Sequence, residues 1–211
     1  MIAQEIILQN GADEPSTLEE FHFYNNMSGH DGCLAVASVL NRLTKLTAFR
    51  YASARAGPDA SAALARSINL HLRNLTSLDV SDCTFSDEGA DELAAAVGKQ
   101  SHLRNLKLRD ASLGLEGATK VVKALASNNI QLLVLDLSGN ELEDDGVVAI
   151  ASLLKSQTAL KVLRLDENEI TSEGLRVGKP LQGFQGVLTG VPVYAGAGGA
   201  LMGGADGGQG A

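Results

Sequence analysis

A curved α/β solenoid, with one short parallel strand and one helix per repeat, is predicted from three features of the chain. Six segments share one strand pattern: Phe21-His-Phe-Tyr-Asn-Asn26, Phe49-Arg-Tyr-Ala-Ser-Ala54, Leu78-Asp-Val-Ser-Asp-Cys83, Leu106-Lys-Leu-Arg-Asp-Ala111, Leu135-Asp-Leu-Ser-Gly-Asn140 and Leu163-Arg-Leu-Asp-Glu-Asn168. Their starts are spaced by 28, 29, 28, 29 and 28 residues, a period at which strand–loop–helix units stack on one another. Eleven positions after each start stands a small residue: Gly32, Ala60, Gly89, Gly117, Gly146 and Gly174.

The Leu-x-Leu-x-x-Asn/Cys core at this period is the mark of a leucine-rich repeat, here of the 28/29-residue, ribonuclease-inhibitor-like kind. Each element follows in turn. Met1–Leu8 reads as the tail of a helix, with Ile2, Ile6 and Ile7 on one face, so the chain is expected to begin mid-repeat. The small residue after each strand permits close approach to the neighbouring turn. Amphipathic helices come next; in the fifth copy Val147, Ile150, Ala151 and Leu154 share a face. Asp87, Asp144 and Ser172 stand near helix starts, where a side-chain oxygen can accept a free backbone N–H. The repeat domain is expected over residues 1–176. Residues 177–211 are read as a Gly-rich disordered tail, because 12 of the 34 residues from Gly178 onward are Gly.

Composition narrows the function. The chain has 211 residues and a formal net charge of −8, which disfavours nucleic acid, since phosphate is held by Lys and Arg. A basic protein partner is expected instead. The two cysteines, Cys33 and Cys83, are too few to staple a secreted scaffold, and Met1–Asn10 lacks a secretion signal. Leu181–Ala205 is uncharged but too rich in Gly to be a spanning helix, so no membrane insertion is expected. His30 and Cys33 have metal-like spacing without a second pair, and no phosphate-cradling loop occurs. No metal or cofactor is expected, and the chain is not read as a free-standing enzyme. A monomer is expected.

Strand side chains alternate, so first and third positions point into the core and second and fourth positions face the concave side. The second-position series is His22, Arg50, Asp79, Lys107, Asp136 and Arg164; the fourth begins with Tyr24. The fifth position, at the lip where strand becomes loop, carries Asn25, Ser53, Asp82, Asp110, Gly139 and Glu167. At the sixth, Asn26, Cys83, Asn140 and Asn168 are read as a structural ladder bonding the loops of adjacent repeats. The ladder explains Asn26 and leaves Asn25 as a short hydrogen-bonding group free to work at the lip.

Phe21–Gly32 (Phe-His-Phe-Tyr-Asn-Asn-Met-Ser-Gly-His-Asp-Gly), with Pro15–Glu20 before it and Phe49-Arg50 and Ser53–Gly57 after it, resembles the repeat domain of Ran GTPase-activating proteins in their plant form. The resemblance implies a partner, GTP-bound Ran, whose own hydrolysis is accelerated without an inserted arginine. It implies that an Asn of the pair holds the Ran glutamine that orients the attacking water; Asn25 is the candidate. The expected partner-binding residues are Tyr24, Arg50, Arg55, Asp82, Asp110 and Glu167, the acidic ones suiting a basic Ran surface. The same resemblance implies nucleocytoplasmic transport, in the cytoplasm or at the nuclear envelope. The family's earlier repeats, targeting domain and acidic tail lie outside this sequence, so weakened activation is expected.

Overall fold

The structure, a computed structural model, describes residues 16–177 and 186–190. The helix expected at Met1–Leu8 lies outside them. Seven strands, β1 (Glu20–Tyr24), β2 (Ala48–Ala52), β3 (Ser77–Asp79), β4 (Asn105–Lys107), β5 (Val134–Asp136), β6 (Val162–Arg164) and β7 (Val187–Thr189), form one parallel sheet in sequence order. Helices α1 (Gly29–Val39), α2 (Pro58–His71), α3 (Asp87–Gly98), α4 (Gly114–Ser127), α5 (Glu143–Leu154) and α6 (Ser172–Val177) alternate with them.

The register follows the repeat. Phe21 pairs with Phe49, Phe49 with Leu78, and Leu78, Leu106, Leu135 and Leu163 continue the line to Leu188. A one-residue slip would turn these side chains away from the helices, so the apolar pattern fixes the pairing. First-position Leu78, Leu106, Leu135 and Leu163 and third-position Val80, Leu108, Leu137 and Leu165 are all 0% exposed. The first two copies replace Leu with aromatic rings. Phe21 stacks on Phe49 at 5.7 Å between centroids and Phe23 on Tyr51 at 5.5 Å. Such rings bury more area than Leu and gain from their mutual orientation.

Helix faces close the core from the other side. Val147, Ile150 and Ala151 of α5 are buried, and Leu154 is half-buried against them. The small residues at helix starts are a matter of space. A Cβ on Gly117 would lie 2.9 Å from Ala90 Cβ of α3, and one on Gly89 would lie 3.1 Å from the Phe85 ring.

Helix starts differ from the expectation in detail. Asp144 does not cap its own helix; it accepts from Thr171 N at 2.7 Å and from Thr171 Oγ1 at 2.6 Å in the next repeat. Thr171, rather than Ser172, caps α6, accepting from Glu173 N at 3.2 Å.

The stretch expected to be a disordered tail contains β7. Val187–Thr189 pairs with Val162–Arg164, and Thr189 Oγ1 donates to Asp166 at 2.5 Å. Three residues of strand former suffice there because β6 offers a ready edge of unpaired backbone groups. The spacing from Leu163 to Leu188 is 25 residues, shorter than in earlier copies, which hides the repeat in a Gly-rich context.

Buried amides join neighbouring turns at the helix C-terminal side as well. Gln100 is 0% exposed; its Nε2 donates to Leu72 O at 2.8 Å and its Oε1 accepts from Leu75 N at 3.1 Å. Gln157 repeats the device two copies later, with Ile130 O at 2.6 Å and Leu132 N at 2.9 Å.

Candidate functional site

Every lip position adopts left-handed backbone. The φ values are 55° for Asn25, 52° for Ser53, 55° for Asp82, 50° for Asp110, 66° for Gly139 and 58° for Glu167. Asn, Asp and Gly tolerate this region best among the amino acids. The lip therefore favours short polar residues for conformational reasons, and Asn25 has such a reason in addition to any role in binding. Its side chain is exposed and makes no hydrogen bond among the described residues, while its backbone N donates to Ala52 O at 3.2 Å.

The sixth-position residues divide by environment. Asn140 is 0% exposed; its Nδ2 donates to the carbonyls of Leu108 (2.7 Å), Leu137 (2.9 Å) and Ser138 (3.0 Å), and its Oδ1 accepts from Leu113 N at 3.2 Å. Asn168 is 1% exposed; its Nδ2 donates to Leu137 O at 2.9 Å and Leu165 O at 3.0 Å, and its Oδ1 accepts from Asn140 N at 2.9 Å. Cys83 fills the same place with a bond from Sγ to Tyr51 O at 3.5 Å. Asn26 is exposed and, among the described residues, makes only the local bond, from Nδ2 to Tyr24 O at 3.0 Å. The bonds that Asn140 and Asn168 make to the preceding repeat have no counterpart at Asn26 among the described residues.

The open face of the sheet carries alternating charge in register. Arg50 Nε lies 3.1 Å from Asp79 Oδ2, Lys107 Nζ lies 3.9 Å from the same oxygen, and Arg164 lies 3.8 Å from Asp136. The two signs are not equally accessible. The side chains of Arg50, Lys107 and Arg164 are 38%, 44% and 42% exposed, those of Asp79 and Asp136 only 8% and 10%. Each Asp is steadied by the Ser two residues on, Ser81 Oγ at 2.8 Å and Ser138 Oγ at 2.7 Å. Cationic tips are thus what a partner meets across the floor, although the chain as a whole is acidic.

The acidic lip residues expected to meet a basic partner are largely engaged. Arg109 bonds Glu167 and also lies 3.1 Å from Asp110 Oδ2. Asp82 accepts from Ser53 Oγ at 2.5 Å. Tyr24 and Arg50 come together, the guanidinium lying 3.9 Å over the ring centroid, a cation–π contact. Arg55 stands apart on the loop after β2, exposed, in left-handed backbone, without a hydrogen bond or ion pair among the described residues. Around Asn25 the surface is completed by Tyr24, 44% exposed, and Met27, 80% exposed. Met27 was not singled out in the sequence; its place between Asn26 and Ser28 in the motif was the available signal.

The cysteines are buried and free. Burial pushes the Cys33 thiol up to about 11 and raises that of Cys83 further, so neither is a nucleophile at neutral pH. Among the described residues no cluster of three or more His, Cys, Asp or Glu could hold a metal ion, and no helix is long and apolar enough to cross a membrane.

The family described as Leucine Rich repeat matches residues 71–94, 128–151 and 156–177, segments that hold β3, β5 and β6 with all or most of the helix after each. The chain is 36% identical over 104 residues to the human "NACHT, LRR and PYD domains-containing protein 13" (49% of this chain, 10% of that protein). It is 35% identical over 98 residues to "RAN GTPase-activating protein 2" of Arabidopsis thaliana (46% and 18%). With pig "Ribonuclease inhibitor" the identity is 26% over 144 residues (68% and 32%). The chain thus spans between a tenth and a third of the length of these relatives. The in-register strands, the buried amide rungs and the matched repeats together give the fold of a leucine-rich-repeat solenoid, an α/β architecture similar to that of ribonuclease inhibitor.

Proposed function

We propose that this solenoid acts on a Ran-type small GTPase in its GTP-bound form and accelerates that partner's hydrolysis, with Asn25 as the residue that works in trans. The observation that carries the reading is Asn25 itself. It is held in left-handed backbone by a bond to β2, its amide has no intramolecular partner among the described residues, and it is flanked by exposed Tyr24 and Met27. A primary amide so placed can both donate to and accept from a partner's glutamine side chain. Likeness to a RAN GTPase-activating protein over about half of this chain supports the choice of partner. In this reading the chemistry is the partner's, and Tyr24, Arg50 and Arg55 supply contact area and charge around Asn25.

Single-turnover GTP hydrolysis by Ran, with and without this protein, tests the reading. Asn25→Ala is expected to lower the stimulated rate at least tenfold, with a melting temperature reduced by no more than the few degrees that Ala costs in left-handed backbone. An Asn25→Ala protein that stimulates as well as the parent would sink it.

A second reading is a protein-interaction scaffold without activator activity. It is favoured by the accessible cations across β2, β4 and β6, which suit a partner lying on the sheet rather than at the lip. Under that reading charge reversal at Lys107 and Arg164 weakens partner binding and Asn25→Ala does not.

A further inference from the structure

Two hydroxyl groups stand where the repeat otherwise places hydrocarbon. The eighth position of the six copies is Ser28, Ala56, Phe85, Leu113, Leu142 and Ile170, and the five apolar members are all buried. The third position is Phe23, Tyr51, Val80, Leu108, Leu137 and Leu165, where only Tyr51 carries a polar atom. These two exceptions belong to adjacent copies and meet each other. Ser28 Oγ and Tyr51 Oη share a hydrogen bond of 2.8 Å, and Tyr51 is 0% exposed.

Stability does not account for the pair. Replacing both members of a buried hydrogen bond by apolar groups of similar shape is close to neutral, and the other copies do so at both positions. What distinguishes this place is the loop above it. Ser28 ends the run that carries Asn25, Asn26 and Met27, and it precedes Gly29, which has φ of 60°. The backbone ties of that run to the second repeat are Asn25 N to Ala52 O at 3.2 Å and Gly29 N to Ala54 O at 2.9 Å. From Asn25 to Ser28, the Ser28–Tyr51 bond is the side-chain hydrogen bond to that repeat among the described residues. An apolar contact resists separation but not rotation or sliding, whereas a hydrogen bond is directional. A loop whose lip residue must meet a partner group within hydrogen-bond distance needs the second kind of anchor.

We propose that Tyr51 and Ser28 are positioning residues that set the height and rotation of the Asn25 lip loop, acting through the loop rather than by touching the partner. The proposal deepens the reading of Asn25 as the working residue and rests on it. Its local half, that the hydroxyl pair holds the loop, stands independently.

Tyr51→Phe, Ser28→Ala and the double variant, each in the full chain, test it with three readouts. Melting temperatures of Tyr51→Phe and the double variant are expected to stay within a few degrees of the parent, and that of Ser28→Ala, which leaves the buried Tyr51 hydroxyl without the serine oxygen, to fall further. Amide hydrogen exchange at Asn25 and Gly29 is expected to speed up roughly three- to tenfold, the opening expected from one lost hydrogen bond, with no change in β4 and α4. Maximal stimulated hydrolysis by Ran is expected to fall by a similar factor at an unchanged half-saturating concentration. The double variant should be no worse than Tyr51→Phe, which already removes the shared bond together with the hydroxyl's contact to the Cys33 thiol. Unchanged exchange at Asn25 and Gly29 overturns the proposal, as does faster exchange with full stimulation. A lowered melting temperature with faster exchange throughout the solenoid also overturns it, making the pair a general stability element. If the parent itself fails to stimulate Ran, the functional reading falls, and the exchange data still decide whether the pair holds the loop.

Discussion

Arg109 and Glu167 clasp one another across an entire intervening repeat. Arg109 Nη2 lies 3.0 Å from both carboxylate oxygens of Glu167, 58 residues further along the chain. The repeat between them presents Gly139 at the lip, in left-handed backbone with φ of 66°. The Asp110 carboxylate leans into the space that a side chain on Gly139 would fill. Absence of a side chain at one lip position is thus what lets the charges on either side of it meet.

Gly139→Ala is expected to destabilise the solenoid by about 1–3 kcal/mol, through overlap with Asp110 and the left-handed backbone. Urea unfolding measures the loss. Asp110→Gly in the same background should return part of it, because the overlap disappears while the backbone cost at residue 139 stays. Additive effects of the two substitutions would contradict the arrangement.

The amide rungs give a graded expectation. Asn140→Ala and Asn168→Ala each leave buried backbone groups unpaired and should cost about 2–4 kcal/mol. Asn26→Ala removes one bond at an exposed site, and a cost under about 1 kcal/mol is expected. Thermal melting of the three variants side by side reads the contrast. Equal losses would mean that Asn26 has further partners.

Asp144 provides a pH signature. Its carboxyl is held below the ordinary value of 3.8, first by the Thr171 hydroxyl and then by the Thr171 backbone N–H. A group whose folded pKa is depressed contributes stability that is present above the unfolded pKa and lost as pH falls through the folded one. Asp144→Asn cannot titrate. The gap in urea midpoint between parent and variant is therefore expected to be constant from neutral pH to about 5 and to shrink below about 4. A gap independent of pH down to the acid transition would show that the folded carboxyl is unshifted.

Thiol chemistry reports the core directly. With the Cys33 thiol raised to about 11, on the order of one molecule in a thousand carries that thiolate at pH 8. An alkylating reagent is expected to label neither Cys33 nor Cys83 appreciably in the native state and both in denaturant. Fast native labelling at either site would show that the surrounding repeat opens.

The strand starts, the inward side chains and the lip were legible because each is a single-residue property repeated at one period. Leu78, Leu106, Leu135 and Leu163 announce their own burial. The unequal exposure of Arg50 and Asp79 was not, since it depends on a neighbour 29 residues away and on Ser81 beneath the carboxylate. Gln100 and Gln157 read as ordinary surface amides until the turns they bridge are placed side by side. β7 escaped notice because its strand signal is three residues long. Asn25 was singled out by elimination. The structure adds that its backbone conformation also favours Asn, which the sequence pattern did not reveal. The Ser28–Tyr51 pair could have been found by aligning the copies against each other and asking which members break an apolar column.

The succession of left-handed lip residues limits how this surface can diversify. β-branched side chains are strongly disfavoured at such φ values, so Val, Ile and Thr are poor choices at all six positions however well they fit a partner. A randomised library at these sites, selected for folding alone, would return a small alphabet of Gly, Asn, Asp and similar residues. New binding specificities would then arise chiefly at the second and fourth strand positions, where the backbone accepts almost any side chain. Recognition by this solenoid is written in two scripts: a restricted one along the rim, and a permissive one across the floor.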